Sequence, residues 1–261
     1  MTPRNFLVRG LLAGLIAGLL TFAVAYIAGE PSVDAAIKVE SAESGGGHHH
    51  DDGAAAEHSH HEEGGTEVSR QNQSTWGLLT ATGSTGIALG GIVALASAFA
   101  LGRIGRLRPS QSTALVAALG FVSVALVPFI KYPATPPAVG NADTIGSRTT
   151  QYFVMLAISV LAMIAAVLLF RKLHERFGTY TAVLVSAGAY LAVVILAAAL
   201  MPTVNEIGDF PADTLWYFRR GSLLTLATLW GVIGIVLTGL IGKLYAEESA
   251  TQARRDLAAS L

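Results

Sequence analysis

Six of the seven histidines of this 261-residue chain fall within one stretch, "GGGHHHDDGAAAEHSHHEEGG", residues 45–65. His48, His49, His50, His58, His60 and His61 alternate there with Asp51, Asp52, Glu57, Glu62 and Glu63. Neutral imidazole is a good ligand for Co²⁺, Ni²⁺, Cu²⁺ and Zn²⁺, and a flexible tract can wrap several imidazoles and a carboxylate around one ion. The spacing does not select among these metals. A catalytic centre needs fixed ligand geometry and hydrogen bonds that hold the ligands, and nothing in the stretch suggests either. The expected chemistry is weak buffering of labile divalent metal, with no tightly bound cofactor. A purely solvated spacer is the competing reading. An affinity tag would sit at a terminus and would not alternate with acids.

The body that carries this stretch belongs in a membrane. The chain is 52% hydrophobic and only 13% charged, against roughly 25% charged residues in soluble domains. Residues 10–29, 71–102, 109–130, 149–170, 177–205 and 221–242 contain no Asp, Glu, Lys or Arg. Each interval can cross a hydrocarbon core, which takes about 20 apolar residues. Unbroken runs of this length lack the alternation of barrel strands, so the expected fold is an all-α integral membrane protein. Six transmembrane helices are placed near 6–28, 75–101, 111–130, 151–171, 180–201 and 220–243. Residues 1–28 then hold the first helix, 29–74 a long His- and acid-rich loop, 75–245 a five-helix body and 246–261 a tail.

Basic residues orient the chain, because cytoplasmic loops carry an excess of Lys and Arg. Eleven of the seventeen fall on one side: Arg4, Arg9, Arg103, Arg106, Arg108, Arg171, Lys172, Arg176, Lys243, Arg254 and Arg255. Both termini are expected inside and the histidine loop outside. The overall charge of −1 conceals ten acids in residues 29–74 against Lys38 and Arg70. Such a loop attracts cations and repels nucleic acid and anionic lipid. Its Gly, Ser, Ala, His and acid content, without hydrophobic period, predicts disorder from residue 29 to 74. "AVA" at 23–25 resembles a signal-cleavage site, but the apolar run exceeds a usual signal core, so an uncleaved helix is expected. Cysteine is absent, which excludes disulfides and thiolate metal sites.

Two longer connections face the same side as the histidines. "VPFIKYPATPPAVGNADTIGSRTTQYF" spans 127–153 and "MPTVNEIGDFPADTLWYFRRGS" spans 201–222. Each leaves a helix at a proline, Pro128 or Pro202, passes through Ala-Asp-Thr and an aliphatic residue, and then reaches aromatics and arginine. Duplication of a helical hairpin would explain this order, as would chance. No ionisable residue lies in the six central spans, so a translocation site must use neutral ligands or sit at the boundary. Asn205, Glu206, Asp209 and Asp213, then Asn141 and Asp143, and the thioether of Met201 are the candidates there, with polar contact to lipid headgroups as the bland alternative. In "RGLLAGLIAGLL", Gly10, Gly14 and Gly18 form a stripe that lets another helix approach closely, from this chain or from a second subunit.

An enzyme is not expected. The chain lacks G-x-x-x-x-G-K-[ST] and H-E-x-x-H, and no nucleophile stands beside a base in a recognisable frame. The arrangement resembles the predicted cobalt transporter subunit CbtA family. The likeness rests on the N-terminal "RGLLAGLIAGLL", the His-rich first loop, "VPFIKYPATPPAVGNADTIGSRT" and "MPTVNEIGDFPADTLWYFR". It implies cobalt uptake across a bacterial inner membrane, in the service of cobalamin synthesis. It also implies a small single-span partner with its own histidine cluster. Lys131, Tyr132, Pro133, Pro136, Pro137 and Gly140, with Pro202, Asn205, Glu206, Pro211 and Asp213, match the family pattern and are carried over as pore-mouth candidates. Composition and topology fit that implication without selecting cobalt over nickel or zinc. A sensor, assembly factor or structural subunit that carries no metal is the alternative class.

The imidazole account makes a direct prediction. A peptide of residues 45–65 binds Co²⁺ at about pH 8 and releases it as pH falls through the ordinary histidine pKa, about 6.5. Equal binding in isothermal titrations at about pH 5 and about pH 8 would assign the affinity to the carboxylates instead.

Overall fold

The structure is a computed structural model and describes residues 2–45, 69–105 and 107–260. It contains no strand among those residues. Five helices are long and apolar enough to cross a membrane: α1 (Pro3–Ala42), α2 (Arg70–Ala100), α3 (Pro109–Lys131), α4 (Ala142–Leu200) and α5 (Ala212–Ala259). The expectation of six differs because residues 151–171 and 180–201 share α4. That helix is not straight. Gly178 adopts φ +76° and ψ 173°, a conformation that only glycine takes without steric cost. Ser159 and Tyr190, 31 residues apart, share a hydrogen bond of 2.9 Å. Along an unbroken helix they would be separated by about 46 Å. The two halves of α4 therefore lie side by side, with the reversal at Gly178.

α1 and α2 meet backbone to backbone and antiparallel. Gly10 faces Gly90 and Ala94, Gly14 faces Gly86 and Ile87, and Gly18 faces Thr82 and Gly83. A Cβ on Gly18 would lie 2.7 Å from the Thr82 carbonyl oxygen, and one on Gly90 would lie 2.7 Å from Gly14 Cα. The glycine stripe is thus buried inside this chain, against a second stripe at Gly86 and Gly90. α5 completes the core: Phe6, Ala13 and Ala17 of α1 and Val93 and Ala94 of α2 cluster with Trp230, Ile233, Leu237 and Ile241. α3 joins through Ala117 and Ala125, and Gly120 leaves room for the Trp230 ring. The α4 hairpin packs on α3 through Val127, Met155, Tyr190 and Val194. Only 11% of its most apolar window is buried, against 28–33% in the other four helices.

Three boundaries depart from expectation. The loop predicted from residue 29 begins later, because wider π-type turns at Ala25–Gly29 lead into a helix over Glu30–Gly45. Ser32 and Ala36 are buried and Val39 is half-buried, a stripe at helical spacing that the average composition of the segment concealed. Ala36 packs against Val139, Phe210 and Leu215, so the extension of α1 covers both Pro-rich segments. The loop also ends earlier, since helix resumes at Arg70. α5 begins at Ala212, not near 220, and continues to Ala259 through the expected tail. Pro211 stands just before it and Asp213 in its first turn, where a carboxylate favours the helix dipole. Pro128 lies inside α3; the wider turns at Phe121–Leu126 accommodate the hydrogen bond that proline cannot donate.

Overpacking at the glycine contact should be costly. Gly90→Val is expected to destabilise the purified chain by about 1–3 kcal/mol or more, lowering its melting temperature in detergent. Gly188→Ala, where an added Cβ meets nothing within 4 Å, should leave it nearly unchanged. Equal behaviour of the two variants would disprove the close α1–α2 contact.

Candidate functional site at the Pro-rich end

One end of the bundle gathers the two Pro-rich segments, the extension of α1, and the starts of α4 and α5. Both Ala-Asp-Thr sequences open helices. At the first, the Asp143 amide donates to Asn141 Oδ1 (3.0 Å); at the second, the Thr214 amide donates to Asp213 Oδ1 (2.8 Å). Each helix then brings an arginine, Arg148 or Arg219, to the wall of one cavity of about 750 Å³.

The segments are tied across this cavity by long-range hydrogen bonds. Lys131 Nζ donates to the Met201 carbonyl (3.1 Å) and the Tyr132 hydroxyl to the Pro202 carbonyl (2.8 Å). Glu206 Oε2 accepts from the Asn141 amide and the Thr144 hydroxyl, both at 2.9 Å, and lies 3.6 Å from Arg148 Nε. Arg148 also donates to the Asn141 carbonyl (3.1 Å). Gly140, at φ +108°, is needed twice over: a Cβ there would stand 2.7 Å from the Arg148 Cζ. The Asn141 amide, then the Thr144 hydroxyl and the Arg148 charge hold the Glu206 carboxyl below its ordinary value of 4.5, because all of them favour the ionised form.

The predicted residues therefore separate. Lys131, Tyr132 and Glu206 line the cavity, and Met201 contributes a carbonyl to its rim while its side chain packs on the α4 hairpin. Asp143, Asn205, Asp209 and Asp213 are exposed and stand outside the cavity wall. His48, His49, His50, Asp51, Asp52, His58, His60, His61, Glu62 and Glu63 lie outside the described residues. On the flanks of that segment, Glu30 lines the cavity and is paired with Arg70, which also binds Asp34 at 2.9 Å. Among the described residues no group of three or more His, Asp or Glu is placed to hold a metal ion.

Sequence reasoning missed Arg148, Arg219 and Glu30 as cavity residues. The signal was present in the repeated order of Ala-Asp-Thr followed by arginine, which places each guanidinium on the second turn of a helix. The helical body so described, from Pro3 in α1 to Gly242 in α5, coincides with residues 3–242 matched by the family model for a probable cobalt transporter subunit (CbtA). The chain belongs to the CbtA family. Neither curated proteins nor solved structures provide a match. As a CbtA member with five long apolar helices it is a multi-pass membrane protein of a transporter family, not of an enzyme family.

The Glu206 joint gives a signed pH prediction. Because its folded-state pKa is depressed, its contribution is complete above about 4.5 and is lost as pH falls through the lower folded value. The difference in melting temperature between wild type and Glu206→Gln should be largest near neutrality and vanish on acidification through that range. A difference independent of pH would exclude the ionised carboxylate as the tie.

Proposed function

We propose that this CbtA chain is the membrane-embedded subunit through which a divalent transition metal, cobalt, is taken up across a bacterial inner membrane. In this reading the chain crosses six times, with the reversal at Gly178 on the cytoplasmic side beside Arg171, Lys172 and Arg176. Both termini are then cytoplasmic and the Pro-rich end faces outward. The observation that carries the reading is the ion pairing of both flanks of the histidine segment, Glu30 and Asp34 with Arg70, beside the cavity at the Pro-rich end, whose wall includes Glu30. His48 to His61 would then collect metal where a path through the bundle opens, and raise its local concentration without forming the translocation site.

The family description speaks of a subunit, which favours a partner. A small single-span protein with its own histidine cluster fits that place. The α1 glycine stripe is already occupied by α2, so a partner would have to dock elsewhere. The sparsely buried α4 hairpin offers the largest area to lipid or protein.

Expression in a bacterium deficient in cobalt uptake should increase accumulation of radioactive cobalt, with or without the partner according to whether the chain is self-sufficient. Deleting residues 45–65 should raise the cobalt concentration for half-maximal uptake several-fold and leave the maximal rate nearly unchanged. Unaltered accumulation with the partner present, together with no flux into proteoliposomes, would overturn the reading in favour of a sensor or assembly factor.

A further inference from the structure

The cavity described above has the wrong charge for a bare metal cation. Its wall carries three cationic groups, Lys131, Arg148 and Arg219, and two carboxylates, Glu30 and Glu206. Both carboxylates are committed. Glu30 is neutralised by Arg70, and Glu206 is held by Asn141, Thr144 and Arg148. The cations are less fully used. Lys131 donates to one carbonyl and has further ammonium hydrogens to give. Arg148 is engaged by Glu206 and the Asn141 carbonyl, whereas Arg219 Nε is buried without a hydrogen-bond partner. Arg219 makes no hydrogen bond or ion pair among the described residues.

A buried guanidinium donor without an acceptor costs free energy, which an oxyanion of matching planar geometry recovers through paired, charge-assisted hydrogen bonds. The remaining wall includes Phe129, Tyr152 and Phe218. Apolar and aromatic walls with a few convergent polar groups are the usual make-up of a small-molecule site of this volume. We propose that the cavity is an oxyanion site, which takes a small carboxylate- or phosphate-bearing ligand on Arg219 with help from Arg148 and Lys131. One consequence rests on the transport reading: metal passing this cavity would travel as a negatively charged chelate, because the hydrated dication is repelled by the same three groups.

The site is tested without metal, so that its failure is distinct from failure of cobalt transport. The full chain in phosphatidylcholine nanodiscs is titrated calorimetrically with citrate in metal-free buffer. Saturable binding is expected, weakened about tenfold or more by Arg219→Gln and less by Arg219→Lys. Ser222 lines the same cavity three residues along the helix from Arg219, on the same face. Ser222→Glu should supply the missing partner, abolish citrate binding and raise the melting temperature, which guards against a misfolded Arg219→Gln. A second arm uses phosphatidylglycerol nanodiscs. Anionic lipid that is retained by wild type but not by Ser222→Glu, and that competes with citrate, would make a lipid phosphate the source of the oxyanion. Citrate binding unaffected by that lipid would make the source a soluble ligand. No saturable citrate binding and no lipid retention, or binding indifferent to both variants, would overturn the proposal.

Discussion

Everything in this fold depends on the backbone contact between α1 and α2. In lipid there is little hydrophobic gain from pressing one apolar helix on another, so association relies on dispersion contacts and close fit. Gly10, Gly14 and Gly18 against Gly86 and Gly90 bring the two helices near enough for carbonyl oxygens to touch α-carbons. That pair supplies the wall on which α5 lays Trp230, Ile233, Leu237 and Ile241, and α5 in turn holds α3. The α4 hairpin packs on α3 and leaves most of its apolar surface exposed.

The same stack explains the position of the polar end. Because α1 is locked to α2 along its whole glycine stripe, its continuation past Gly29 projects in a fixed direction and lies over the Pro-rich segments, with Ala36 on Val139, Phe210 and Leu215. The segments are held to one another by charged and polar groups, where burial alone would leave proline-rich backbone poorly satisfied. Glu206 is central to this: one carboxylate oxygen serves the amide of Asn141, the hydroxyl of Thr144 and the guanidinium of Arg148. A group that looks from its position like a metal ligand at a pore mouth is thus occupied as a tie between two loops. What remains unengaged in the cavity wall is cationic, and this changes the kind of ligand the cavity suits.

The membrane class and the need for close helix contact at Gly10, Gly14 and Gly18 were legible in the sequence, since they follow from local composition and spacing. The extent of the first loop was not. Averaging over residues 29–74 weighed the Gly, His and acid content of 45–65 together with a helical stripe at Ser32, Ala36 and Val39, and hid the latter. The arginines were read by side, as counters of topology, which treats all charges beyond a span as equivalent. Arg148 and Arg219 differ from Arg220 because helices opening at Ala142 and Ala212 rotate them toward one cavity, and a tally by side carries no such angle.

By itself the sequence determined a helical membrane protein, its CbtA likeness, a single histidine-rich segment and a glycine stripe that required a close neighbour. These are properties of one segment at a time, governed by transfer to lipid and by the space a side chain occupies. Only the tertiary structure decided which helix fills the stripe and that residues some 65 to 70 positions apart meet at Glu206, Lys131 and Tyr132. It also decided the sign of the cavity. Pairing of charges depends on distance in space, and a linear chain of residues does not record which carboxylate each cation will find.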